Sequence, residues 1–259
     1  MNLEVLGINI ALFLLILSRW AGFVMLAPML GGRNVPAYIK LALASGISAV
    51  LFPLLAQGHV LPANSVEYLM LVVRESLVGL SLGFISQQLL FVLQGAGQII
   101  DMQMGLSIGS LIDPINATPS PLTGNFKVLV AVLLLLATNA HHYLIAAVVR
   151  SYDYIPLLGT GPSPGLISYG IEFITGVFSG AVQIALPVAG ILLLVEVALG
   201  FLSRALPQLN IFFVGFPVKL GLGFLLLLWL VPLLGSQTEN LFQVSLKEMH
   251  VFMQGWGKP

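Results

Sequence analysis

The stretch VEYLMLVVRESLVGLSLGFISQQLLFVLQGAGQII, residues 66–100, sets the fold class of this chain. Apolar side chains dominate it for about 35 residues, and no proline interrupts the sequence from Ala63 to Asp113. At 1.5 Å rise per residue the run makes roughly 50 Å of helix, well beyond a ~30 Å hydrocarbon core. Such a helix must bend, tilt steeply or project out of the bilayer.

The rest of the chain has the same character. Of its 259 residues 58% are hydrophobic and only 8% charged, with a mean hydropathy of +1.02. A soluble domain of this size carries roughly 25% charged residues to cover its surface. This chain must face lipid, other apolar proteins, or both. About six apolar segments emerge, at 8–30, 38–57, 66–100, 127–149, 171–203 and 211–234. Short loops separate the first from the second, the second from the third and the fifth from the sixth, which predicts antiparallel hairpins. Pro187 is expected to kink the long fifth segment. The first basic residue, Arg19, lies inside the first apolar run, so that run is expected to be retained rather than cleaved as a signal peptide. The fold class predicted is an all-α membrane-complex protein of long apolar helices arranged as hairpins.

Composition also excludes functions. Ten Lys and Arg balance ten Asp and Glu, so no basic patch offers itself to nucleic acid. With no cysteine, disulfides, thiolate catalysis and Cys-ligated metals are out. No phosphate-binding glycine loop, serine nucleophile elbow or carboxylate pair at catalytic spacing appears. His141 and His142 are adjacent, about 100° apart on a helix, whereas helical metal ligands repeat at i and i+4. The expectation is no enzyme, no metal and no cofactor.

Polar residues inside apolar helices are the informative ones. Gln87, Gln94, Gln98 and Asp101 are spaced to share one helical face. That face must meet protein or water. It serves either interhelical hydrogen bonding or the lining of an aqueous passage. It leads into DMQMGLSIGSLIDPINATPSPL, residues 101–122, where Gly and Pro argue against regular structure. Leu106, Ile108, Leu111, Ile112 and Ile115 are nevertheless too apolar for a solvated loop. Non-helical apolar backbone at membrane depth is tolerated where protein buries it or it lines a cavity. The greasy composition, with adaptable methionines, suits a pore plug; a re-entrant or interfacial loop is the alternative. Arg19, Arg74, Glu75 and Glu196 each lie within an apolar segment, where a lone charge costs about 2.5–3.5 kcal/mol, so each requires a partner. Gly79 with Gly83, Gly105 with Gly109 and Gly176 with Gly180 have the spacing that lets helices approach closely. In GGRNVPAYIKLALA and NIFFVGFPVKLGLG, glycine and proline break the chain and a lysine begins the next helix.

Several motifs together resemble the FliR family of the flagellar protein-export gate and its virulence-type III secretion relatives (SctT). They are Arg19-x-x-Gly22 with Pro28, Gly31, Val35-Pro36 and Lys40; Arg74-Glu75 with Gly79 and Gly83; Gly97 to Gly105 leading to Asp113-Pro114; and Asn210-x-x-x-x-Gly215-x-Pro217-x-Lys219. The resemblance runs from residue 19 to about 221 and implies a non-enzymatic subunit of an inner-membrane gate. FliP and FliQ homologues would be its neighbours, an FlhB homologue would sit at the cytoplasmic entrance, and unfolded flagellar proteins would be the cargo. It implies a FliP-like part (1–170) with a plug loop at 105–122, followed by a FliQ-like hairpin (171–234) and a tail (235–259) without a motif. Met102, Met104, Leu106, Ile108, Leu111, Ile112, Asp113 and Pro114 would form the plug of the closed channel, and Gln94, Gln98 and Asp101 would position that plug or line the passage. A secondary transporter with Glu196 at an intramembrane ion site, or a membrane scaffold without a conduit, are the rival readings.

Overall fold

The computed structural model describes residues 3–32, 35–56, 62, 64–107, 121–159, 161, 163–208 and 210–256. All regular structure among them is helical: α1 (Leu3–Leu26), α2 (Ala37–Leu55), α3 (Ser65–Ser86), α4 (Gln88–Met104), α5 (Leu122–Ala137), α6 (His141–Tyr154), α7 (Leu166–Ala205), α8 (Ile211–Leu230), a 3₁₀ turn (Val231–Leu233) and α9 (Leu234–Trp256). The chain is an all-α membrane protein. Five stretches are long and apolar enough to cross a bilayer: Ile8–Leu26, Ala37–Leu55, Ser65–Ser86, Leu166–Ala205 and Phe213–Trp256. The pair α5 and α6 would make a sixth if counted as one.

Two expected continuous segments are broken. The run 66–100 divides at Gln87, whose N–H is shared between the carbonyls of Gly83 (3.3 Å) and Phe84 (3.2 Å). Ser86 Oγ also donates to Gly83 O, at 2.7 Å. A serine bonding back to the preceding turn, with 3₁₀-type tightening beside it, is a known way to end a helix run. The segment 127–149 is two helices bent by 76°. Asn139 makes the corner at φ 55°, a left-handed conformation that asparagine tolerates better than most residues. By contrast α7 runs unbroken through Pro187 for 40 residues, roughly 60 Å of helix. The second Pro–Lys turn also differs from expectation: α8 has already begun at Ile211, so Pro217 lies inside it, whereas Pro36 stands just before α2.

The chain forms two compact units, neither contiguous in sequence. One gathers the residues up to Gln88 with Asn139–Ile171 and the stretch from Phe242 onward. Here α1 packs on both α2 and α3, burying Leu12, Leu15, Ile16, Trp20 and Phe23. The C-terminal tail, expected to carry no motif, is helical as far as Trp256. From Phe242 on, α9 buries Phe242, Met249, Phe252 and Trp256. Tyr169 donates to Glu248 O at 3.0 Å, Ser163 to Gly255 O at 2.7 Å, and the Tyr154 and His250 rings meet edge to face. The other unit comprises Leu89–Thr138 and Glu172–Leu241. Its core joins Ala96, Ile100 and Met104 of α4 to Ala185, Val188 and Leu192 of α7, flanked by Leu222, Leu226 and Leu230 of α8.

Burial is uneven. Of the most apolar window, 44% is buried in α1 and in α3, but only 17% in α7 and 11% in the α8–α9 stretch. The outer faces of α7 and α8 are therefore left for lipid or for another protein.

Candidate functional site

The segment expected to plug a passage leaves α4 and returns to α5, and the two stems are fastened together at their base. Asp101, in the last turn of α4, is buried. Its carboxylate accepts the Thr123 N–H at 3.3 and 3.2 Å. The Thr123 hydroxyl lies 2.6 Å from Asp101 Oδ1 and 2.8 Å from Gly97 O, one proton between two acceptors. An aspartate at this place satisfies an N-terminal N–H of α5 that has no partner within its own helix. Gly97 and Gly124 lie backbone to backbone, so close that a Cβ on Gly97 would collide with the Gly124 N and Cα. Gly105 then turns the chain away with φ 81°.

The plug residues themselves divide. Residues 101–104, expected to be irregular, are the helical end of α4. Met104 is fully buried in its unit's core, its side chain against Gly223, while Met102 is 64% exposed. Leu106 is half-buried against the same core. Ile108, Leu111, Ile112, Asp113 and Pro114 lie outside the described residues. The polar stripe divides too: Gln94 and Gln98 are exposed, Gln87 is half-buried at the helix break, and only Asp101 is enclosed. The glutamine that is buried is Gln88, its Oε1 without a hydrogen bond. Its position just past the break, which shifts the helical phase, is why spacing alone did not single it out.

In the other unit the isolated charges find one another. Arg19 of α1 and Glu75 of α3 are both fully buried, with Nε 2.6 Å from Oε2. Arg19 also donates to Ser151 Oγ at 3.0 Å and to Ile155 O at 2.8 Å, and its guanidinium sits 4.0 Å over the Tyr152 ring. Arg74 lies 3.8 Å from Glu75 Oε1 and donates to the carbonyls of Pro156 and Leu157. Two guanidiniums thus share one carboxylate, and the three carbonyls at and beyond the end of α6 supply the remaining acceptors. Cations are favoured at a helix C-terminus because its carbonyls lack intrahelical partners. Glycine makes this junction possible. A Cβ on Gly22 would stand 2.6 Å from Ser76 O, one on Gly83 2.8 Å from Phe23 O, and one on Gly79 would strike Arg19 O.

The remaining candidates are less enclosed. A Cβ at Gly180 would meet Val92 at 3.4 Å, ordinary contact, and one at Gly176 would meet nothing within 4 Å. Within this chain Gly176 is therefore not a packing residue, contrary to its spacing. Glu196 pairs with Lys219 at 3.2 Å across the α7–α8 hairpin, the glutamate side chain 57% exposed. The ring centroids of His141 and His142 lie 4.2 Å apart with the planes tilted by 46°. Among the described residues no three His, Asp or Glu side chains converge as metal ligands would. Thr123 and Lys127 were missed as site residues; one hydroxyl and one lysine far along the chain give no spacing signal.

This arrangement, broken apolar helices stapled by a few buried ionic groups, agrees with what sequence comparison finds. The profile of "Bacterial export proteins, family 1" matches residues 10–245. The "Flagellar biosynthetic protein FliR" of Bacillus subtilis (strain 168) is 35% identical over 92% of this chain and 92% of its own length. That of Escherichia coli (strain K12) is 34% identical over 87% and 86%, and that of Aquifex aeolicus (strain VF5) 28% identical over 93% of each. With the profile and the relatives spanning nearly the whole chain, it belongs to the FliR family of bacterial export proteins.

Proposed function

We propose that this chain is a non-enzymatic core subunit of the flagellar type III protein-export gate in the bacterial inner membrane. In that reading it builds, with FliP and FliQ homologues, the channel through which unfolded flagellar proteins leave, with an FlhB homologue at the cytoplasmic side. The observation that carries it is family membership over residues 10–245, with relatives named as flagellar biosynthetic proteins. The segment 105–122 serves as the closed channel's plug, and residues 171–234 serve as a FliQ-like hairpin after a FliP-like part.

The chemistry of such a plug is exclusion of water and ions by apolar side chains, that is, gating by dewetting. The base of the segment supports this. Asp101 and Thr123 fasten the two stems, so α4 and α5 are held to each other independently of the segment that joins them. In this reading Gln94 and Gln98 line a wet passage, which their exposure on α4 favours. The pairing of Glu196, its side chain 57% exposed, with Lys219 weighs against the transporter reading, which needs an enclosed carboxylate at midplane depth.

The test is co-expression with FliP and FliQ homologues, purification of the complex, and ion permeability of cells that make it. Deleting Leu106 to Ile112 should leave the complex intact and make it leak. An intact complex with no leak would remove the plug. Failure of the full chain to join any complex with those homologues would remove the gate assignment.

A further inference from the structure

Lys127, on α5 one turn beyond Thr123, is only 6% exposed. No carboxylate stands within 4.0 Å of its ammonium among the described residues, and it makes no hydrogen bond there. Asp101 acts on it only through space, its oxygens being held by Thr123. An ammonium has three donors and no acceptor capacity, and burying it unpaired is costly. Lys127 does not, however, face solid packing. It lines a cavity of about 30 Å³ together with Thr123, Ile184, Leu227, Leu230 and Gln237.

We infer that Lys127 receives an acidic side chain carried on an apolar helix of a neighbouring subunit. The inference rests on the proposed role in a multi-subunit gate, and it adds the recognition chemistry of one contact. Three observations select this occupant. The unmet demand is for negative charge, which water does not supply. The volume accepts the two oxygens of a carboxylate, since one water needs about 10–15 Å³ by the same measure. The rim is apolar, with Phe126 51% and Val231 42% exposed, so whatever covers it must be apolar around its acid. Gln237 is a further polar residue of the lining. A charge pair made only on assembly also supplies specificity, because an apolar helix without the acid leaves Lys127 buried and unpaired.

The test compares wild type, Lys127→Met and Lys127→Arg, each as the full chain co-expressed with FliP and FliQ homologues and each expressed without them. Lys127→Met should lower recovery of the assembled complex at least tenfold, and Lys127→Arg should keep most of it. Without partners, Lys127→Met should be at least as protease-resistant in membranes as wild type, because it removes an unpaired buried charge. This opposite response is the signature; equal losses with and without partners would mean a merely structural lysine and overturn the inference. Equal recovery of the Lys127→Met and wild-type complexes would overturn it too. So would an intact Lys127→Met complex that has lost bound anionic phospholipid by native mass spectrometry, which would make the cavity a lipid site. If wild type itself assembles with neither homologue, the gate reading falls along with the inference; in the other outcomes the gate reading stands.

Discussion

Replacing Glu75 by glutamine tests whether the junction of α1, α3 and α6 rests on charge. The change keeps shape and one acceptor but leaves the guanidiniums of Arg19 and Arg74 sharing no carboxylate. Arg19 is fully buried, so it has no solvent to turn to; Arg74, about 10% exposed, retains its two carbonyls. Breaking one side of a buried pair costs ~3–5 kcal/mol. At 1.4 kcal/mol per factor of ten, the lower bound raises the population of the opened unit ~100-fold. The chain has no cysteine, which makes a single Val78→Cys a clean reporter: Val78 is fully buried on α3, one turn from Glu75. Maleimide labelling of that thiol in native membranes should accelerate ~100-fold in Glu75→Gln. The double change Arg19→Met with Glu75→Leu removes both charges, and well-packed apolar replacements of a buried pair are often neutral. Its labelling rate should therefore return to within about tenfold of the reporter alone. Labelling of Glu75→Gln at the reporter's own rate, or a double variant worse than either single one, would refute the reasoning.

Other substitutions follow from the same geometry. Gly79→Ala places a methyl on the Arg19 carbonyl and should cost at least ~1–3 kcal/mol, read as faster labelling at Val78→Cys, whereas Gly176→Ala should leave that rate unchanged. Thr123→Val removes the hydroxyl that ties α5 to Asp101 and Gly97, a loss of about 1–2 kcal/mol. It should make the complex leak without dissociating it, measured as ion permeability beside native mass. Glu196→Gln leaves the Lys219 ammonium, its side chain 18% exposed on an apolar helix, without its carboxylate, so chain stability in mild detergent should fall by more than the ~1 kcal/mol of a water-exposed pair.

Much of the helical plan was legible because apolar length is a strong signal and the bilayer fixes what length means. The need for partners at Arg19, Arg74 and Glu75 was legible for the same reason: a charge in an apolar run cannot stand alone. Their common meeting place was not, since it depends on Ser151 and the Ile155 carbonyl more than a hundred residues away from Arg19. The breaks at Gln87 and Asn139 were hidden because hydropathy averages over them. What ends α3 is one serine hydroxyl on one carbonyl, and what turns α5 into α6 is one backbone angle. The tail offered no motif because its apolar residues are diluted by Gln, Lys and Glu; placed on a helix, Phe242, Met249, Phe252 and Trp256 are buried. Gly79 and Gly83 were found by their spacing on one helix. Gly97 and Gly124, which meet more closely, were not, because no spacing rule pairs residues on different helices.

The distribution of glycines bears on what covers α7 and α8. Where glycines face another helix of this chain, at Gly22, Gly79, Gly83, Gly97 and Gly124, the backbones approach within what a Cβ would forbid. On the α7–α8 hairpin, Gly170, Gly176, Gly190, Gly200 and Gly221 have nothing within 4 Å of where a Cβ would be. A glycine in a helix costs about 1 kcal/mol relative to alanine, and a face that met only lipid would gain nothing in return, since lipid packs as well against leucine. Small residues in membrane helices repay that cost where a second helix comes close. The neighbouring side chains on the same helices, Phe178, Leu194, Leu225 and Trp229, are large, apolar and more than 60% exposed, so ridges alternate with clefts along these faces. Relief of that kind is what interlocking helices require, and it favours protein neighbours over lipid along the hairpin, as a subunit of a wound helical gate would need.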